Sequence, residues 1–323
     1  MINNYDLIII GAGAAGLGAA VYAGRYRLRV LVIGEKFGGE TAQAGYIENY
    51  PGIGKIDGYD LMVNMRDQAK EMGVELVDKK VDRVERRGHC FEVVAGEDIY
   101  QANQIILAMG TKRRRLNLPN ETELTGHGVH YCVTCDGPFY KDKVIAMVGG
   151  GDASIKGINL ASEYVKKVYL IVLEKEVRAE PVNWERMKVL GDKVEILYET
   201  QVKEIVGEAR LEKIIIDKEY QGSNELAVDG LFVEIGAVRN VALAEQLSVN
   251  LDEKGYVMVD NMMKTNVDGV YACGDTVNHF GDFKQIITAV AMGAVAATSA
   301  YEDNKIHGDL CPYHFVPKQF ENK

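Results

Sequence analysis

Cys132-Val133-Thr134-Cys135-Asp136 is the segment of this sequence best equipped for chemistry. Two sulfurs separated by two residues can close a small disulfide, open it by thiol–disulfide exchange and pass electrons to a partner's disulfide. Asp136, directly after the second sulfur, is a proton source for that exchange. Two other readings use the same residues. His127 and His130 lie just upstream, which puts four metal-ligating side chains within nine residues, but such a ring is cramped beside the usual zinc spacings. An inert structural pair is the third reading. We expect redox chemistry here and no bound metal. Cys90, Cys273 and Cys311 stand far apart in sequence, so five cysteines do not make a disulfide scaffold.

The elements that must position and feed this pair are written as two strand–turn–helix openings. The apolar run Tyr5–Ile10 reads as a buried parallel strand, and Gly11-Ala12-Gly13-Ala14-Ala15-Gly16 carries it into an apolar helix from about Ala14. This is a dinucleotide fingerprint. Gly11 permits the tight turn, Gly13 admits a pyrophosphate, Gly16 packs helix on strand, and the helix N-terminus supplies positive potential. Glu35, 19 residues after Gly16, stands near the place of the ribose-binding acid. A second opening runs through the strand Lys143–Val148 and Gly149-Gly150-Gly151 into a helix reaching about Val165, then a strand at Val168–Leu173.

Two such openings require two sheets, so the expected fold is α/β with two doubly wound, Rossmann-like nucleotide-binding domains. The apolar strand ending at Ala108-Met109-Gly110 followed by Lys112-Arg113-Arg114-Arg115 reads as an exit. A strand at Gly230–Ile235 ending in Gly236 reads as the return. Residues 113–240 are then an insertion, and residues 1–112 and 241–323 together form a discontinuous domain. Near the far end, a strand from Thr265 stops at Gly274-Asp275, ahead of a helix from Gln285 whose N-terminus points toward the same ligand.

The chain of 323 residues, 47% hydrophobic and 26% charged with 34 glycines, has ordinary globular composition, which excludes collagen, coiled coil and disorder. A net charge of -10 opposes nucleic acid or an anionic membrane as the main partner. Leu7–Gly24 and Gln285–Tyr301 are uncharged. The first is broken by five glycines, follows Asp6 and lacks a basic stretch ahead of it, so neither a signal peptide nor a membrane span is expected, and the protein is read as soluble and cytoplasmic.

Taken together, Gly11–Gly16, Gly38-Gly39-Glu40, Ile47–Gly52, Ala108–Gly110, Cys132–Gly137 and Gly274-Asp275 with Lys284-Gln285 resemble the low-molecular-weight thioredoxin reductases across essentially the whole chain. The resemblance implies an FAD-dependent disulfide reductase and a homodimer, with thioredoxin as acceptor. FAD would lie in the discontinuous domain, contacted by Gly39, Glu40, Asn49, Asp275 and Gln285. It further implies that Cys135 faces the flavin, Cys132 attacks the thioredoxin disulfide and Asp136 acts as the acid. A glutathione-reductase arrangement would need cysteines just after Gly38-Gly39, where none occurs.

The departures concern the electron donor. The family's Gly-Gly-Gln is Gly38-Gly39-Glu40 here, which brings a carboxylate toward the flavin. NADPH-using members carry His-Arg-Arg-x-x-x-Arg for the 2′-phosphate, where this chain has Val172-Leu173-Glu174-Lys175-Glu176-Val177-Arg178. Ser154 replaces the third small residue of the second turn, and Gly-His-x-Pro appears as Gly236-Ala237-Val238-Arg239. These changes resemble the pyridine-nucleotide-independent branch, the ferredoxin-dependent flavin thioredoxin reductases, so ferredoxin is the expected donor. NADH, with Glu174 on its ribose, and a reduced deazaflavin are the alternatives. Two basic clusters could receive an acidic ferredoxin: Lys79-Lys80 with Arg83, Arg86 and Arg87, and Lys112–Arg115. Tyr313, His314, Phe315 and Phe320 in the tail could cover the flavin or dock at a dimer contact. A non-enzymatic flavin–thiol redox sensor is the competing function class, separated from an enzyme by turnover.

Overall fold

The computed structural model describes residues 3–281 and 283–307; the aromatic residues of the tail lie outside them. Two compact units are present. One comprises the chain up to Thr111 together with Arg239 onward, and the other is Lys112–Val238.

The first unit is built around the strand Asn3–Ile10, which pairs in parallel with Val30–Ile33 on one side and Asp98–Leu107 on the other. Leu7, Ile8 and Ile9 are wholly buried. A continuous apolar run is what a strand covered on both faces needs. Glu75–Val77 extends the parallel order past Val30–Ile33. Val270–Ala272 pairs with the C-terminal end of Asp98–Leu107, while the hairpin Arg83–Arg87 and Cys90–Ala95 pairs antiparallel with its N-terminal end. The strand expected from Thr265 begins only at Val270. The Thr265 hydroxyl donates to the Val270 carbonyl at 2.8 Å and accepts from the Val267 N–H at 3.1 Å, closing a local turn instead.

The helix Ala14–Arg25 packs on the long helix Ile286–His307 through small residues. A β-carbon at Gly293 would lie 2.1 Å from the Ala15 carbonyl oxygen, so the two backbones touch. Beyond that contact Tyr26 stacks on Tyr301 with ring centroids 4.4 Å apart. Among the described residues no helix is long and apolar enough to cross a membrane.

In the second unit five parallel strands lie in the order Val129–His130, Gly230–Val233, Val144–Val148, Lys167–Ile171, Val194–Leu197. Its helix, Asp152–Ala161, is shorter than the apolar pattern suggests, because the Ser162 hydroxyl turns back to the Asn159 carbonyl at 2.8 Å. A separate antiparallel sheet, Val202–Val206, Lys213–Tyr220 and Ser223–Ala227, adds a layer that the glycine-turn motif does not imply. Both units are thus α/β with parallel sheets of the Rossmann-like kind.

The first basic cluster is not a free cationic face. Lys79 pairs with Asp98, Lys80 with Asp82, Arg83 with Glu85 and Glu92, and Arg87 with the same two glutamates. The second is partly spent inside its own unit, with Arg113 on the buried Glu234 at 2.5 Å and Arg115 on the Thr122 hydroxyl at 3.1 Å.

Candidate active site: a vicinal disulfide and a cofactor cradle

Cys132 and Cys135 form a disulfide in the second unit. Cys132 caps the one-turn helix Val133–Asp136, and its Sγ accepts a hydrogen bond from the Cys135 N–H at 3.1 Å. Cys132 is buried and Cys135 is exposed, so the two sulfurs are not equivalent. The turn is seated by Val133, which packs where Gly157 leaves room; a β-carbon at Gly157 would lie 2.9 Å from Val133 Cγ2.

Asp136 is held from beneath. His130 Nδ1 lies 3.0 Å from Asp136 Oδ2, and His130 Nε2 lies 2.6 Å from the Tyr140 hydroxyl. The imidazole is 6% exposed and stacks on Phe232 with centroids 5.2 Å apart. Burial holds His130 below its ordinary pKa, against the pull of Asp136. Burial pushes the Tyr140 hydroxyl up to about 12, so that group stays protonated. With a carboxylate on one side and an intact phenol on the other, the neutral ring donates from Nδ1 to Asp136 and accepts at Nε2 from Tyr140. Both ring nitrogens are therefore engaged. The sequence singled out His130 only as a metal-ligand alternative; its bonds to Asp136 and Tyr140 arise from tertiary packing and leave no local spacing signal.

The dinucleotide turn of the first unit is shaped for a phosphate. Gly11 has φ +120°, and a β-carbon there would lie 2.1 Å from the Ala108 carbonyl oxygen. At Gly16 the clash would be with the Gly11 carbonyl. Gly13 caps the helix with no side chain over its N-terminus and no acid in the first turn, so the leading N–H groups face outward. Gly39 touches this turn, since its β-carbon would stand 3.4 Å from Gly13 Cα. Glu35 is exposed two residues past the strand Val30–Ile33. A cavity of about 270 Å³ is lined by Ala12, Phe37, Arg66 and Asp78 among others.

Near the Gly274-Asp275 turn, Asn49 Nδ2 donates to Gln285 Oε1 at 3.0 Å. Burial raises the Asp275 pKa, Lys284 opposes this and Glu40 reinforces it, so these three side chains share one electrostatic neighbourhood. Thr276 Oγ1 is fully buried with no hydrogen-bond partner among the described residues. An orphaned hydroxyl, an open helix terminus and a glycine cradle fit a flavin dinucleotide. Cys273, next to this turn, is a buried thiol pushed up to about 12 by its apolar surroundings, and is inert.

The second glycine turn is different. Ser154 is wholly buried and its hydroxyl donates to the Glu234 carbonyl at 3.3 Å. A β-carbon at Gly150 would lie 3.6 Å from Glu174 Oε2, so that carboxylate hangs over the turn. Arg178 uses its backbone N–H on the Gly150 carbonyl at 2.7 Å, and its guanidinium stays in solvent near Glu176.

The pattern of the pyridine nucleotide-disulphide oxidoreductase family matches residues 5–293. The chain is 36% identical to the thioredoxin reductase of Treponema pallidum (strain Nichols), covering 93% of this chain and 97% of that protein. Among solved structures, the thioredoxin reductase of T. acidophilum superposes with a TM-score of 0.86 at 33% identity, covering 94% and 99% of the two chains. A ferredoxin-flavin thioredoxin reductase from Clostridium acetobutylicum matches with a TM-score of 0.51 at 32% identity, covering 95% and 100%.

Proposed function

We propose that this chain, which belongs to the pyridine nucleotide-disulphide oxidoreductases and among them to the thioredoxin reductases, reduces thioredoxin with electrons that its flavin receives from ferredoxin. It is an FAD-dependent disulfide oxidoreductase. Bound FAD supplies the electrons that open the Cys132–Cys135 disulfide. Gly11, Gly13 and Gly16 would admit the pyrophosphate and Glu35 the ribose, while Gly39, Glu40, Asn49, Gly274, Asp275 and Gln285 would hold the rest of the cofactor.

Cys135, the exposed sulfur, is the one that accepts electrons, and reduction leaves two thiols. Cys132 then attacks one sulfur of the thioredoxin disulfide, breaking that bond and forming a mixed disulfide. Asp136 takes the Cys132 proton and returns it to the departing thioredoxin sulfur. Cys135 then attacks Cys132 as its own proton passes to the second thioredoxin sulfur; the mixed disulfide breaks, the ring closes, and thioredoxin leaves with two electrons and two protons. Because Cys132 is buried in the oxidised form, it must be uncovered before it attacks.

The observation that carries the donor is the Glu174 carboxylate at the second glycine turn, where a 2′-phosphate needs cations. A charge-assisted bond contributes about 1.5–3 kcal/mol, and here repulsion replaces it. Glu174 also motivates the second reading, NADH bound through its ribose. Relatives named only as thioredoxin reductases are more similar than the ferredoxin-linked one, so the donor rests on this residue and not on likeness. We further propose a cytoplasmic homodimer. Anaerobic mixing with NADPH, NADH or chemically reduced ferredoxin tests the assignment: the yellow flavin should bleach rapidly with ferredoxin alone. Rapid bleaching by NADPH contradicts it, bleaching by NADH alone selects the second reading, and a single reduction without thioredoxin turnover selects a sensor.

A further inference from the structure

We infer that His130 is a positioning residue of the disulfide centre: its Nδ1–H holds the Asp136 carboxylate for proton transfer at the cysteine pair, and the Tyr140 hydroxyl fixes the tautomer that makes this possible. The inference rests on the reading of Asp136 as the acid of a redox-active pair.

The groups facing the ring come from each element around it. Asp136 lies on the one-turn helix, Tyr140 on the turn that follows, His127 on the loop before, and Phe232 on the neighbouring strand. Asp229 acts on Tyr140 by its charge. Asp136 is the carboxylic acid bonded to the ring, and Tyr140 is the phenol. A carboxylate at the edge of a four-residue helix has free rotation unless something holds it. Here one oxygen is fixed by a buried donor while the side chain stays 33% exposed, which leaves its second oxygen reachable. Fixing a catalytic acid before the reaction removes rotational freedom that would otherwise be lost in the transition state. A buried histidine in a packed core is otherwise satisfied by backbone. This one places both nitrogens on side chains, one of them the acid.

The test uses reduced holoenzyme in stopped flow, reacted with thioredoxin and separately with the small disulfide 5,5′-dithiobis(2-nitrobenzoate). The amide nitrogen of Asn overlies Nδ1 of histidine, and that of Gln overlies Nε2. His130→Gln and His130→Phe should therefore slow exchange about 10- to 100-fold, a part of the range for general acid–base catalysis. His130→Asn should recover most of that loss. In an Asp136→Asn background, adding His130→Gln should change the rate by no more than about twofold, because the two act as one unit. Tyr140→Phe, which leaves the apolar packing in place, should move the acid limb of the exchange rate to higher pH, since the neutral ring loses its donor. A merely structural histidine would be damaged equally by Asn and Gln, would add its effect to Asp136→Asn, and would leave the pH profile of Tyr140→Phe unmoved; any of these overturns the inference. If the wild type ignores thioredoxin but reacts with the small disulfide, the proposed acceptor fails and the His130 series is decided on the small disulfide.

Discussion

One sulfur of the pair faces solvent and the other caps a helical turn beneath it, and the order of use proposed for them follows the family resemblance. Cys135→Ser should retain bound, yellow flavin and reduce thioredoxin at background rate, checked by absorbance and by counting thioredoxin thiols; full turnover would remove the pair from the mechanism. His130 makes a pH prediction with a definite sign. Burial holds its folded-state pKa below the ordinary value of about 6.5, so the unfolded chain binds the proton first as pH falls. Its contribution to stability is complete above that value and is lost on acidification toward the folded-state value. The melting temperature of the wild type should therefore fall more between neutral and mildly acidic pH than that of His130→Asn, in which the group does not titrate. Equal slopes would contradict the buried neutral ring.

At the scale of elements, Gly11 and Gly16 are legible because each answers a close backbone contact. Gly11, Gly13 and Gly16 announce strand, turn and helix in the sequence, and the structure puts carbonyl oxygens where β-carbons would be at Gly11 and Gly16. The same is true of Gly293, whose sequence setting looks like any small residue in an apolar helix. Gly293→Ala should cost at least ~2 kcal/mol, at the upper part of the overpacking range, because a backbone oxygen cannot move aside as a side chain can. A urea midpoint unchanged from the wild type would show that the two helices can separate at little cost. What sequence reading missed has a common cause. The pairing of Lys79 with Asp98, the reach of Arg83 and Arg87 to Glu92 and the stacking of His130 on Phe232 all depend on which residue another segment brings alongside. Spacing along the chain encodes periodicity and turns, and carries no record of such partners. Glu174 is the opposite case: one charge of the wrong sign, visible in the sequence, retains its meaning in the fold because it hangs over the turn it would have to serve.

For the whole molecule the net charge of -10 and the self-neutralised basic hairpin bear on the donor. An acidic ferredoxin meets an acidic enzyme, so electrostatic steering does not drive the encounter. The rate of flavin reduction by ferredoxin should stay level or rise as salt is added from low ionic strength, where an oppositely charged pair would slow. A steep fall with salt would place a cationic docking face on the protein after all. The central claim, that electrons enter through ferredoxin and leave through Cys132 and Cys135 to thioredoxin, is tested most directly by reconstitution. Holoenzyme, reduced ferredoxin and oxidised thioredoxin are combined without oxygen, and thioredoxin thiols are counted against time, with NADPH or NADH replacing ferredoxin in parallel. The account predicts many turnovers with ferredoxin and none above background with NADPH; equal turnover with NADPH would contradict it.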